Sequence, residues 1–161
     1  MDASSIKEWA GALIPYLAVF TAGWAIYTYR RAKKVEVARL QKQIFDDLHL
    51  SGKFDHIREA LDFDYSSRVV RALKRAMGSG GATIPKEDRS LLLDLDNFLN
   101  LIEYVLFLEQ DTKLLTGADR LALLSYWIGW MREPERQELR EYIERFDYER
   151  LSKCLATKEK T

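Results

Sequence analysis

Twenty consecutive residues, Ala10 to Tyr29 (AGALIPYLAVFTAGWAIYTY), carry no charged side chain. As a helix rising about 1.5 Å per residue they extend about 30 Å, the thickness of a bilayer's hydrocarbon core. The run is longer than the apolar region of a signal peptide, and the leader before it sets Lys7 against Asp2 and Glu8. Arg30, Arg31, Lys33 and Lys34 follow the run directly. That order predicts an uncleaved single-pass anchor in the cell membrane, with the amino terminus outside and the rest of the chain in the cytoplasm. Trp9 at one end, and Trp24, Tyr27 and Tyr29 at the other, stand where interfacial aromatics belong.

The run also sorts its residues by size. Gly11, Pro15, Ala18, Ala22 and Ala25 recur at spacings of four and three and share one helical face. Leu13, Leu17, Phe20, Trp24 and Tyr27 line the opposite side. A helix alone in lipid has no need of such sorting, whereas helices that pack together do, because small residues let their backbones approach. Self-association through the small face is the expectation; the alternative is a monomeric anchor whose small residues share a side by chance. Thr21 and Thr28, at the border of that face, would offer hydroxyls to the lumen of an assembly.

After Tyr29 nothing interrupts a helix until Ser51-Gly52, where Gly52 suits a C-terminal cap. The expected organisation is therefore a leader and transmembrane helix (1–29), a juxtamembrane stalk (30–52), a helical bundle (53–155) and a disordered tail (156–161). Within the bundle, helices are predicted over 54–63, 66–77, 85–110, 117–131 and 135–146, with a last turn near 151–155. Gly78-Ser79-Gly80-Gly81 reads as a flexible loop. The 85–110 helix is apolar nearly all round and belongs at the centre of a bundle; Asp94, Asp96, Glu103 and Glu109 argue against a second span. No segment alternates with the period of a strand, so the fold class is all-α.

Chemistry is sparse. The chain holds equal numbers of acidic and basic residues, which argues against coating nucleic acid by bulk charge. The single cysteine, Cys154, excludes an internal disulfide. His49 and His56 are the only histidines, too few for a metal centre, and neither lies in a nuclease-type Arg-x-x-x-x-His motif. No lysine followed by serine or threonine follows the glycine run, so it is not a phosphate-binding P-loop. Asp96, Asn100 and Glu103 form a polar strip on the apolar helix, either a buried hydrogen-bonding line or a catalytic acid pair; with no histidine nearby in sequence and no nucleophile motif, the structural reading is the expectation. Arg30, Arg31, Lys33 and Lys34 are expected to face lipid headgroups. Arg68, Arg71, Lys74 and Arg75 form a basic face, either solvated and paired with neighbouring acids or open to an anionic ligand. No catalytic constellation, cofactor or metal site is expected, and the chain is not read as an enzyme.

The stretch from Leu95 to Leu151 carries landmarks at Phe98-Leu99, Glu103-Tyr104, the turn at Leu115 to Gly117, Tyr126-Trp127 and the aromatic close from Tyr142 to Phe146. These resemble a widespread bacterial family of short proteins with one amino-terminal membrane helix and a helical cytoplasmic domain. The architecture is similar to that of oligomeric membrane effectors in anti-phage defence. The resemblance implies a homo-oligomeric pore or membrane-disrupting subunit in the bacterial inner membrane, gated by its cytoplasmic domain. It would act with membrane lipids, other copies of itself, and a regulatory protein or anionic ligand encoded alongside. The alternative is a membrane-tethered sensor or scaffold that binds a cytoplasmic protein or nucleotide-type ligand.

Overall fold

The computed structural model describes residues 3–78 and 84–157, with side chains from Tyr16 onward except at Ala18. Among these residues there is no strand. Seven α-helices follow one another: α1 (Ala3–His49), α2 (Asp55–Phe63), α3 (Val70–Gly78), α4 (Lys86–Gln110), α5 (Gly117–Met131), α6 (Gln137–Arg145) and α7 (Glu149–Ala156). The all-helical class read from the sequence holds. The chain divides into two compact units, Met1–Leu40 and Gln41–Thr161. The expected glycine loop lies largely outside the described residues, as does the tail after Thr157.

The membrane placement is corrected. Among the described residues no helix is long and apolar enough to cross a membrane. Positions 10–15 and 18 of the expected span lie outside the residues whose side chains are described. From Tyr16 to Tyr29 the helix mixes apolar residues with Tyr16, Thr21, Gly23, Trp24, Tyr27, Thr28 and Tyr29, and the charges from Arg30 onward close it. Tyrosine and tryptophan favour a membrane's surface over its hydrocarbon centre. A single-pass inner-membrane protein with its amino terminus outside is therefore not upheld, nor is a juxtamembrane stalk defined by that span.

In the second unit α4 is the central element and packs against α2, α3, α5 and α7. Leu91, Leu95, Phe98, Leu99, Ile102, Val105 and Leu106 are all buried along it, which explains its near-continuous apolar surface. Trp127 of α5 is buried against Phe98, with ring centroids 4.8 Å apart in an edge-to-face arrangement. Ile44 and Leu48, late in α1, are buried in this unit as well.

The helix ends show how the bundle closes. Thr116 and Asp119 form a reciprocal capping box at the start of α5: the Thr116 hydroxyl accepts from the Asp119 N–H at 3.3 Å, and the Asp119 carboxylate accepts from the Thr116 N–H at 2.7 Å. That second bond is the main cause holding the Asp119 carboxyl below its usual range. Elsewhere one helix caps another. The Glu103 carboxylate of α4 accepts from the backbone N–H groups of Arg150 (3.0 Å) and Leu151 (2.8 Å) in the first turn of α7. At the other end of α7, Arg132 donates to the carbonyls of Cys154 and Thr157, each at 2.7 Å. Helix α7 thus runs through Ala156, one residue into the expected disordered tail.

Two local readings differ from the sequence. The helix expected over 66–77 begins as a π-helical turn, Tyr65–Val69, before α3. The Tyr65 ring is buried, and its hydroxyl accepts from the Leu139 N–H of α6 at 3.3 Å, one of the first-turn donors with no partner in its own helix. Pro85, expected as the first helical residue of α4, instead precedes it as the N-cap.

Candidate interaction surface

The first unit carries the most conspicuous surface. Tyr16, Leu17, Val19, Phe20, Trp24, Ile26, Tyr27 and Tyr29 are all exposed, from 55% for Ile26 to 75% for Tyr16. Large apolar residues seldom cluster uncovered over fourteen positions of a monomer. Ala22, Gly23 and Ala25 are exposed too, and a methyl group added at Gly23 would meet nothing within 4 Å. Leu17, Phe20, Trp24 and Tyr27 recur at three, four and three and so share a stripe, along which the Trp24 and Tyr27 rings lie 5.9 Å apart. Of the expected small face, Ala22 and Ala25 are described and exposed; the side chains of Gly11, Pro15 and Ala18 lie outside the described residues. The hydroxyls expected to face a lumen also bond to their own helix. Thr21 donates to the Leu17 carbonyl at 2.9 Å, and Thr28 to the Trp24 carbonyl at 2.9 Å.

Arg30, Arg31, Lys33 and Lys34 are all exposed, directly after the apolar segment. The lipid-facing role expected for them depends on the membrane placement and is not carried further. The second basic group is partly neutralised. Lys74 pairs with Glu138 of α6 at 3.1 Å, and Arg75 pairs with the buried Asp88 in the first turn of α4. Arg71 is exposed and Arg68 half-buried. Two of the four cations therefore tie helices together.

The polar strip on α4 is structural. Asp96 accepts from the hydroxyls of Tyr142 (2.7 Å) and Tyr148 (3.0 Å), tying α6 and the start of α7 to α4. Burial, reinforced by the Asp96 carboxylate, pushes both phenols far above their ordinary range, and burial pushes Tyr65 up to about 12. Glu103 caps α7, and Asn100 is exposed. His56 lies 3.1 Å from Asp94 in an exposed pair, and no group of three metal-ligating side chains occurs among the described residues.

A cleft of about 340 Å³ is lined by Arg120, Arg132, Lys153, Glu109 and Cys154. Its cations already have structural work: Arg132 holds the end of α7, and Arg120 reaches Glu109 at 3.7 Å and the Cys154 sulfur at 3.7 Å. The cleft is a junction between helices rather than a prepared anion site. The signal the sequence reading missed is inter-helix capping, since Glu103, Arg132 and Tyr65 find partners 22 to 74 residues away.

No protein-family model, curated protein or solved structure matches this chain.

Proposed function

We propose that this chain is a homo-oligomeric helical scaffold, in which the apolar segment of α1 joins copies of the α2–α7 bundle into one particle. The observation that carries this reading is the exposure of eight large apolar side chains between Tyr16 and Tyr29. Together they present on the order of 700 Å² per copy over all sides of the helix, if each offers roughly half of the area a large side chain can bury, close to the ~800 Å² per partner in a standard protein interface. Covering such a surface is favourable at about 25 cal/mol per Å², before the cost of association is subtracted. A pore would need the chain to cross lipid, so the pore reading goes with the corrected membrane placement. Of the two sequence-based readings, the scaffold remains, without its membrane tether.

Mass measurement of the full chain in detergent-free buffer tests the proposal. The expected result is a particle whose mass is a multiple of 18.8 kDa, reduced to the single-chain mass by Phe20→Glu combined with Trp24→Glu. A wild-type monomer overturns the reading, as does a chain that stays in solution only with detergent or lipid.

A further inference from the structure

The apolar segment has two distinct faces, and which one forms the contact depends on the solvent. In lipid, small faces win because hydrocarbon tails cover large side chains as well as another helix does. In water the removal of apolar area drives association, so the larger side chains decide it. The stripe of Leu17, Phe20, Trp24 and Tyr27 gathers four of the eight exposed large side chains on one side, each more than half exposed. Its spacing is that of the seam between two packed helices.

The same spacing also fixes direction. Continued by four and three residues, the stripe reaches Arg31 and then Lys34, both exposed. Two parallel copies in register would bring Arg31 onto Arg31 and Lys34 onto Lys34 in the seam itself. Like charges would then face each other at the distance of packed helices, with their hydration reduced. Turning one copy round removes the conflict. About a centre at Ala22, Phe20 meets Trp24 and Leu17 meets Tyr27, while Arg31 and Lys34 fall opposite positions 13 and 10, uncharged in the sequence. Opposed helix dipoles favour the same direction.

We propose that two copies pair antiparallel along Leu17, Phe20, Trp24 and Tyr27, each stripe covering the other, with the face bearing Ala22 and Ala25 turned away. This rests on the reading that copies associate through α1 and adds the face and the direction. The partner is a second copy of this chain. The contact is isologous, the same stripe on both sides, and therefore closes on itself.

Two measurements in a Cys154→Ser background test it. Mild oxidation of an equal mixture of Leu17→Cys and Tyr27→Cys chains is expected to yield the 17–27 adduct at least about tenfold over 17–17 and 27–27, by the pairing geometry of an antiparallel seam. Spin labels at Lys33→Cys, which leaves the stripe intact, are expected about 33 Å apart along the axis, since eleven residues on each side of the centre rise about 1.5 Å apiece. Same-position adducts, or labels within about 10 Å at the spacing of packed helices, mean parallel pairing and overturn the proposal while the particle mass stands. A single-chain mass, by contrast, sinks the scaffold reading itself. For the choice of face, Trp24→Ala is expected to weaken self-association by at least about tenfold, and Ala22→Leu to leave it unchanged. The reverse pattern puts the seam on the small face and overturns the proposal. So does flotation of the chain as a monomer on phosphatidylcholine–phosphatidylglycerol vesicles, which would make lipid the occupant of the stripe.

Discussion

Trp24 and Trp127 are the same residue in opposite circumstances. Trp127 is 2% exposed, packed between Phe98, Tyr126 and Trp130. Trp24 is 61% exposed, with Tyr27 as its ring neighbour on the same helix. The second unit turns most of its apolar residues inward because six further helices supply partners, although single side chains such as Leu50, Phe63 and Leu93 stay exposed. The first unit consists of one helix and has no inside of its own. Apolar character in the second unit therefore supports folding, whereas in the first it lies open.

Substitutions that separate folding from association sharpen this contrast. Trp127→Ala should have the largest effect, lowering the stability of the second unit by about 3–5 kcal/mol through lost burial and the cavity left behind. Chemical denaturation followed by circular dichroism would measure it, and Trp24→Ala in the same assay should leave that transition within about 0.5 kcal/mol of wild type. Equal destabilisation by both would break the comparison.

Alkali should come next. Tyr65, Tyr142 and Tyr148 are held protonated by burial, Tyr65 up to about 12. An acid whose folded pKa is raised contributes stability that is full below its unfolded pKa, near 10, and is lost as pH rises through the folded value. Stability of the second unit should therefore hold steady from about pH 7 to 9 and fall progressively above about 10. A denaturation series across that range checks the slope. Absorbance titration should find the buried Tyr65, Tyr142 and Tyr148 phenols ionising above the ordinary tyrosine range.

Smaller effects follow from the helix ends. Glu103→Ala removes the acceptor of two first-turn N–H groups in α7 and should cost about 2 kcal/mol, since hydrogen bonds to a charged group contribute about 1.5–3 kcal/mol. Faster hydrogen exchange at Arg150 and Leu151 would locate the loss. Thr116→Ala breaks the capping box of α5 and should cost about 1 kcal/mol, measurable as a shift in the denaturation midpoint.

Much of the bundle was legible in the chain. The apolar periodicity of α4 and α5, the stop at Glu133-Pro134 and the cap at Gly52, with φ of 70°, are local signals that the structure follows closely. The polar strip of α4 was recognisable as a strip, but its partners were not. Tyr142, Tyr148 and the first turn of α7 lie 46 to 52 residues further on. The π-helical turn at Tyr65–Val69 left no mark in periodicity, because Leu139, the residue it serves, is brought near only by folding. The apolar run of α1 was visible at once, yet its setting was misjudged: hydrophobicity says that a surface needs cover and leaves the cover undetermined.

Sequence alone determined that this chain is helical and where most of its helices run; it also marked the uncharged run of the first helix, which it placed wrongly in a membrane. Spacing and burial preference act over a few residues, and each stretch carries them whole. Tertiary structure decided which charges are ties between helices, such as Arg75 to Asp88 and Glu103 to α7, and which stay in solvent. It also decided that the large stripe of α1 stands open while most apolar side chains of α4 are enclosed. Those outcomes depend on which neighbours arrive, and neighbours are a property of the whole fold.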